Sequence, residues 1–240
     1  MIGWFIRNAL WLLLVVGTIF NMLWLSNFQD RLRMKRYAVI ILSILHTVYG
    51  VLTVKAFAIL EAGFDMTKAG NMSLFGGVFL MPLGYFVGAK LFKRRLSDVF
   101  DIFVVCMLFT LMCARVNCLI SGCCNGCPIP GTESALWPTR ELEIAFYVIM
   151  LLILGRRARL GTNCGELYPG YMFCYGIFRF VTEFFRESDH CIWGFFHISH
   201  IWAAASIIIG GVLYCLIMKR HGKSANPKNI RHTVNERKTK

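Results

Sequence analysis

Apolar runs separated by short basic or mixed clusters set the pattern of this chain, and seven of them are conspicuous: residues 8–25, 37–59, 72–91, 99–121, 141–154, 167–185 and 193–218. A helix needs about 20 apolar residues to cross the hydrocarbon of a bilayer. The pattern therefore predicts an all-α integral membrane protein with seven transmembrane helices, the fifth being the shortest. Charges between the runs orient them. Arg31, Arg33, Lys35 and Arg36 follow the first run, Lys93–Arg95 the third, Arg156, Arg157 and Arg159 the fifth, and a basic tail the seventh, whereas Glu61, Asp65 and Lys68 follow the second. Because Lys and Arg are retained on the cytoplasmic side, the prediction is an N-terminus outside and a C-terminus in the cytoplasm.

Composition agrees. Hydrophobic residues make up 57% of the chain and charged residues 16%, and the mean hydropathy is +0.57, which excludes a single soluble domain. The net charge of +13 would suit a nucleic-acid partner if it were spread over one face, but from Lys219 onward eight basic residues face one acid, so the tail alone carries +7. No nucleic-acid partner follows. Residues 1–218 are expected to form one membrane domain, and residues 219–240, with Gly222, Ser224, Asn226 and Pro227, a disordered basic tail. Arg7 before the first run resembles the start of a secretory signal, yet no small-residue cleavage site follows and the stronger positive flank comes after the run. An uncleaved helix is expected.

The sixth run carries the most chemistry. Tyr175, Arg179, Glu183 and Arg186 are spaced four, four and three apart, which places them within roughly 80° on one helical face. An isolated arginine at mid-membrane costs about 2.5 to 3.5 kcal/mol, so such a face calls for a compensating role. With the orientation above, Arg115, Arg140 and Glu143 lie at the same outer level, and guanidinium forks are suited to gripping phosphate oxygens. The plainer alternative pairs Arg179 with Glu183 and lets Arg186 reach for the interface. His46, alone among Ile, Leu and Val, reads equally as a proton acceptor and as a neutral buried imidazole bonded to a neighbouring helix.

Cys118, Cys123, Cys124 and Cys127 lie within ten residues, next to Gly122 and Gly126. Three readings stay open: small residues packing a tight turn, disulfides that involve this loop and Cys191, or a metal or iron–sulfur site, for which Cys124 and Cys127 supply the only C-x-x-C of the loop. The redox state of these five cysteines does not follow from sequence.

Four segments in order resemble the motifs of the prolipoprotein diacylglyceryl transferase family: Met72-Ser73-Leu74-Phe75-Gly76-Gly77, Arg115 through Gly126, Trp137-Pro138-Thr139-Arg140-Glu141-Leu142-Glu143, and Tyr175 to Arg186 with Glu187-Ser188-Asp189. The resemblance implies seven spans with the N-terminus outside, a bacterial inner (plasma) membrane location, and transfer of the diacylglyceryl group of phosphatidylglycerol to the cysteine thiol of a prolipoprotein signal peptide. It implies no metal or organic cofactor. Arg115, Arg179, His46 and Glu143 are the expected catalytic residues: the two arginines hold the phosphate, Glu143 orients an arginine more than it accepts a proton, and His46, which the resemblance does not supply, is the first candidate base. Tyr175, Glu183, Arg186, Gly76, Gly77, Ser121, Gly122, Gly126, Arg140 and His200 are expected to bind substrate, with Glu61 and His200 as further proton acceptors. The chain departs from the family at Phe75, where a histidine is usual, at Cys118, Ser121 and Cys123, where asparagines and an acid are usual, and at Arg140 and His200, which take glutamine positions. Two other functions compete: a phospholipid-binding module without catalysis, and a protein whose cysteine turn is itself the reactive centre.

Overall fold

The computed structural model describes residues 2–64, 72–131, 135–161, 164–186, 191–192 and 196–224. Among them the order is α1 (Ile2–Ser26), α2 (Arg36–Glu61), α3 (Phe75–Phe79), α4 (Met81–Leu91), α5 (Leu96–Ser121), α6 (Thr139–Leu160), α7 (Leu167–Glu183), β1 (Cys191–Ile192), β2 (Phe196–His197) and α8 (Ile198–Ser224). The two short strands pair antiparallel, Cys191 opposite His197. Asn8–Ser26, Arg36–Glu61, Leu96–Ser121 and Ile198–His221 are long and apolar enough to cross a membrane, and Phe75–Leu91 forms a shorter apolar stretch.

Three expected runs differ in detail. The third is broken at Leu80, because Pro82 in the first turn of α4 brings no N–H to continue the ladder; the Tyr49 hydroxyl donates to the Leu80 carbonyl at the break, 2.9 Å away. The fifth is longer than its apolar stretch and ends only at Gly161, which takes the left-handed conformation. Arg157 and Arg159 in its last turn suit the negative end of the helix dipole. The seventh starts at Ile198 rather than at 193, since the residues before it form the strand pair, and it continues through Ser224 into the expected tail. Residues 225–240 and the Glu187–Asp189 acids lie outside the described residues, as does the Cys191 side chain.

α5 is the central helix. Ile102, Val104, Cys106 and Leu108 on successive faces are wholly buried, as a helix apolar all round must be when others surround it. Outward, Trp11, Ile19, Ile44, Leu52, Val87, Leu152 and Ile208 are exposed, a belt too extensive for a soluble surface and suited to hydrocarbon. The chain has the build of a multi-pass α-helical membrane protein.

Basic loops gather at one end. Arg31 pairs with Asp98 at 2.7 Å and donates to the Ala158 carbonyl at 3.1 Å, and Arg94 donates to the Arg33 carbonyl at 2.8 Å. At the same end Asp101, wholly buried on α5, accepts from the backbone N–H groups of Gly165 (2.8 Å) and Leu167 (3.0 Å). It thereby satisfies the first N–H of α7, which has no partner within the helix, and that of Gly165 just before it.

Glycines set how closely α2 and α3 approach. A Cβ on Gly76 would fall 2.2 Å from the Thr53 carbonyl oxygen, whereas one on Gly77 would meet only Leu111 side-chain atoms from 3.0 Å. Gly76→Ala is therefore expected to destabilise the fold by about 1–3 kcal/mol, because backbone has to move, and Gly77→Ala by clearly less, because a leucine rotamer can yield. Thermal unfolding of the two variants in the same detergent checks the order; equal melting would remove the close-packing role of Gly76.

Candidate active site

At the opposite end from the basic loops, three helices aim charged side chains into one buried cluster. Arg115, near the C-terminus of α5, places Nε 2.7 Å from Oε2 of Glu143, one turn into α6. The same oxygen lies 3.7 Å from Nη1 of Arg179 on α7, and Nη2 of Arg179 lies 2.8 Å from Glu183 one turn on. All four residues are buried. Glu143 thus stands between two guanidiniums from different helices, which is an orienting position. The Arg179–Glu183 pairing expected as the plainer alternative is present, but as part of this larger set. Glu143 Oε1 and Arg179 Nε are buried without hydrogen-bond partners among the described residues, so the cluster retains polar capacity for a ligand.

Arg186 follows α7, where the helix dipole favours a cation. It is half-buried and forms no ion pair among the described residues. Burial first, and then the like charges of Arg179 and Arg115, push its pKa down from the ordinary arginine value. An arriving anion relieves that crowding.

The segment after α5 ties the three helix ends together. Gly122 ends α5 in the left-handed conformation, Gly126 pairs with Arg186 in a bridge, and Cys127 N–H donates to the Phe185 carbonyl at 2.8 Å while its own carbonyl accepts from Trp137 at 3.0 Å. Trp137 packs on Phe185 with ring centroids 4.7 Å apart. Gly126 is required here, since a Cβ would lie 2.2 Å from the Trp137 carbonyl oxygen. Arg140 Nη1 donates to the Cys123 carbonyl at 3.3 Å, so it holds the turn rather than joining the buried cluster. Ser121 ends α5 exposed to solvent. Cys124 accepts a hydrogen bond from Cys118, and with Arg186 and Arg115 nearby its thiol is drawn below the ordinary range.

Aromatic rings wall the cluster. Tyr175 lies 5.6 Å from Tyr171 and 6.1 Å from Tyr147, centroid to centroid. Phe75 stands against Tyr175 at 5.9 Å, with the Arg179 guanidinium 5.8 Å from its centroid. His200 packs on Phe184 and Phe180 at 4.5 and 5.1 Å and interacts electrostatically with Glu183.

His46 is not brought to the arginines. It stacks on Tyr85 at 5.9 Å and meets Phe103 at 5.8 Å, in the middle of α2, where a buried imidazole is a packing residue. Glu61, at the end of α2, does reach the cluster: it interacts electrostatically with Arg179, Glu183 and Arg186 and hydrogen-bonds Ser73, and its Oε1 is buried without a partner among the described residues. An acid closing an apolar run was the sequence signal for it. A narrow apolar crevice lies elsewhere among the helices, lined among others by Leu14, Thr47, Gly77, Met81, Leu111 and Ala114.

A polytopic helical membrane protein with a buried arginine–carboxylate cluster where three of its helices meet is the class these features define. The chain belongs to the prolipoprotein diacylglyceryl transferase family, whose profile matches residues 10–216. It is similar to the phosphatidylglycerol–prolipoprotein diacylglyceryl transferase of Pasteurella multocida (strain Pm70), 28% identical over 172 residues that cover 64% of this chain and 62% of that protein. It is also similar to the one from Paramagnetospirillum magneticum (strain ATCC 700264 / AMB-1), 24% identical over 178 residues covering 67% and 66%. That of Pseudomonas aeruginosa (strain LESB58) is 31% identical over 108 residues, 43% of this chain and 38% of the relative. The chain thus spans a little under two thirds of the length of the first two relatives.

Proposed function

We propose that the protein transfers the diacylglyceryl group of phosphatidylglycerol to the thiol of the lipobox cysteine in a prolipoprotein signal peptide, at the outer leaflet of the bacterial inner membrane. The observation that carries this reading is the convergence of Arg115 and Arg179 on Glu143 from separate helices. Seven spans, with α3 and α4 together making the third, put the basic loops in the cytoplasm and the cluster outside. Residues 1–218 form the membrane domain, and the basic tail beyond them faces the cytoplasm.

In this reading the headgroup phosphate enters the cluster and the acyl chains stay against the apolar outer faces of the helices. The acceptor thiol gives its proton to Glu61. Its sulfur then bonds to the glyceryl carbon that carries the phosphate ester, the carbon–oxygen bond breaks, and its electron pair leaves on glycerol phosphate. Negative charge on the phosphate rises by one, and Arg115, Arg179 and Arg186 stabilise that increase more than the ground state. A free thiol has a pKa near 8.5, so a base is needed at neutral pH. Phe75 carries no atom that can accept a proton, whereas Glu61 is close enough to Arg179 to interact with it electrostatically.

The test is a purified-protein assay with phosphatidylglycerol vesicles and a synthetic lipobox peptide, read by thioether formation. Glycerol phosphate release in step with peptide modification is expected. Tight lipid binding without transfer would instead make the protein a phospholipid-binding module. Glu61→Gln is expected to lower transfer about 100-fold or more while lipid binding is retained; unchanged turnover would exclude Glu61 as the base.

A further inference from the structure

The end of α5 gathers three thiols that the proposed transfer does not use. Gly122 takes φ +70° and Cys124 φ +59°, and the Cys123 N–H folds back to the Cys118 carbonyl at 3.2 Å. This reversal returns Cys123 and Cys124 to the level of Cys118, one helical turn earlier. The Sγ atoms of Cys118, Cys123 and Cys124 consequently lie within 4.8 Å of one another. A left-handed conformation costs a residue other than glycine on the order of 1–2 kcal/mol, and here it aims the third thiol at the other two. Cys127, the partner of Cys124 in the C-x-x-C, is instead stretched between Phe185 and Trp137 by its backbone.

We propose that Cys118, Cys123 and Cys124 form a three-thiolate site for one soft, thiophilic cation. Three sulfurs about 2.3 Å from a common centre stand about 4 Å apart, so the group needs to contract by less than about 1 Å. Three thiolates with no carboxylate or imidazole suit Cu(I) in a trigonal plane, or Zn(II) and Cd(II) with water in the fourth position. Cys123 is exposed while Cys124 and Cys118 are half-buried, which leaves the cation a path of entry. The excess negative charge of the thiolates is met locally: Nη1 of Arg115 is 4.0 Å from Cys118 Sγ, and Arg140 grips the turn through the Cys123 carbonyl. The site stands whether or not the transferase reading holds.

The test titrates Cd(II) into the full-length protein, purified with reductant and desalted under argon in detergent, and follows the ultraviolet thiolate-to-cadmium band, with Zn(II) in competition as the second probe. One cation per chain is expected. Cys123→Ser, at an exposed position that should not disturb folding, and Cys124→Ser should each weaken binding at least about 100-fold, more than loss of an outer partner would, whereas Cys127→Ser and Cys164→Ser should leave it intact. Thermal unfolding of each variant confirms the fold. Equal Cd(II) affinity in wild type and Cys123→Ser, or loss in Cys127→Ser as large as in Cys123→Ser, would overturn the site. So would peptide mass analysis that finds two of the three thiols joined as a disulfide in protein isolated without reductant.

Discussion

Arg179→Lys is expected to lower the proposed transfer from phosphatidylglycerol to a lipobox peptide by about 100- to 1000-fold while the protein stays folded. The wild-type guanidinium reaches Glu143 at 3.7 Å and Glu183 at 2.8 Å with different nitrogens and still has Nε without a protein partner among the described residues. Lysine keeps the charge but is a single point donor; it can hold one carboxylate and loses the flat fork that a phosphate would meet. Removing one well-placed donor from a developing anion costs about 2.7–4 kcal/mol in other enzymes, which is the stated range of rates. The measurement is turnover at saturating lipid together with lipid affinity. A large fall in turnover with a small change in affinity would place Arg179 on the departing phosphate, and near wild-type turnover would end its proposed role.

Glu143→Ala is expected to cost about 3–5 kcal/mol of stability and to abolish activity with it. One carboxylate is shared by two buried guanidiniums, and taking it away leaves, among the described residues, Arg115 with no ion pair and Arg179 with Glu183 alone. Breaking a buried pair from one side carries a penalty of that size because the surviving charge has neither water nor partner. For a chain of this size, that is roughly a 6–20 °C fall in apparent melting temperature. Glu141→Gln is the control: its side chain is 46% exposed and pairs with Arg140 only at 3.9 Å, so it should stay within about 0.5 kcal/mol of wild type. Similar melting of both variants would show that Glu143 is not the keystone of the cluster.

How far the sequence could be read depends on how local each feature is. The helices α1, α2, α5 and α7 lie within a few residues of the apolar runs that predict them, because length and hydropathy are properties of contiguous residues. The shared face of Tyr175, Arg179 and Glu183 was legible for the same reason. Differences fall at breaks and ends: Pro82 interrupts the third run, with Tyr49 donating to the Leu80 carbonyl there, and the strand pair delays α8 to Ile198. Glu143 was legible as an orienting residue, but its two partners were not, since nothing in residues 139–145 encodes the distance to Arg179.

His46 and Glu61 make the same point about chemistry. Both lie on α2, and sequence favoured the imidazole because its ordinary pKa suits proton transfer. Packing decided otherwise, putting His46 among Tyr85 and Phe103 and bringing Glu61 toward the arginines. The three thiols were likewise visible as a cluster, but the C-x-x-C spacing pointed to Cys127, whereas the left-handed turns at Gly122 and Cys124 grouped Cys118, Cys123 and Cys124 instead. By itself the sequence determined a helical membrane protein, the approximate extent of its helices and the polar face of α7, since these follow from hydropathy and the 3.6-residue repeat. The tertiary structure alone decided which charges meet, which further carboxylate stands near them and which thiols lie together. Those depend on how separate helices pack and cap one another, and that is information carried by no single segment.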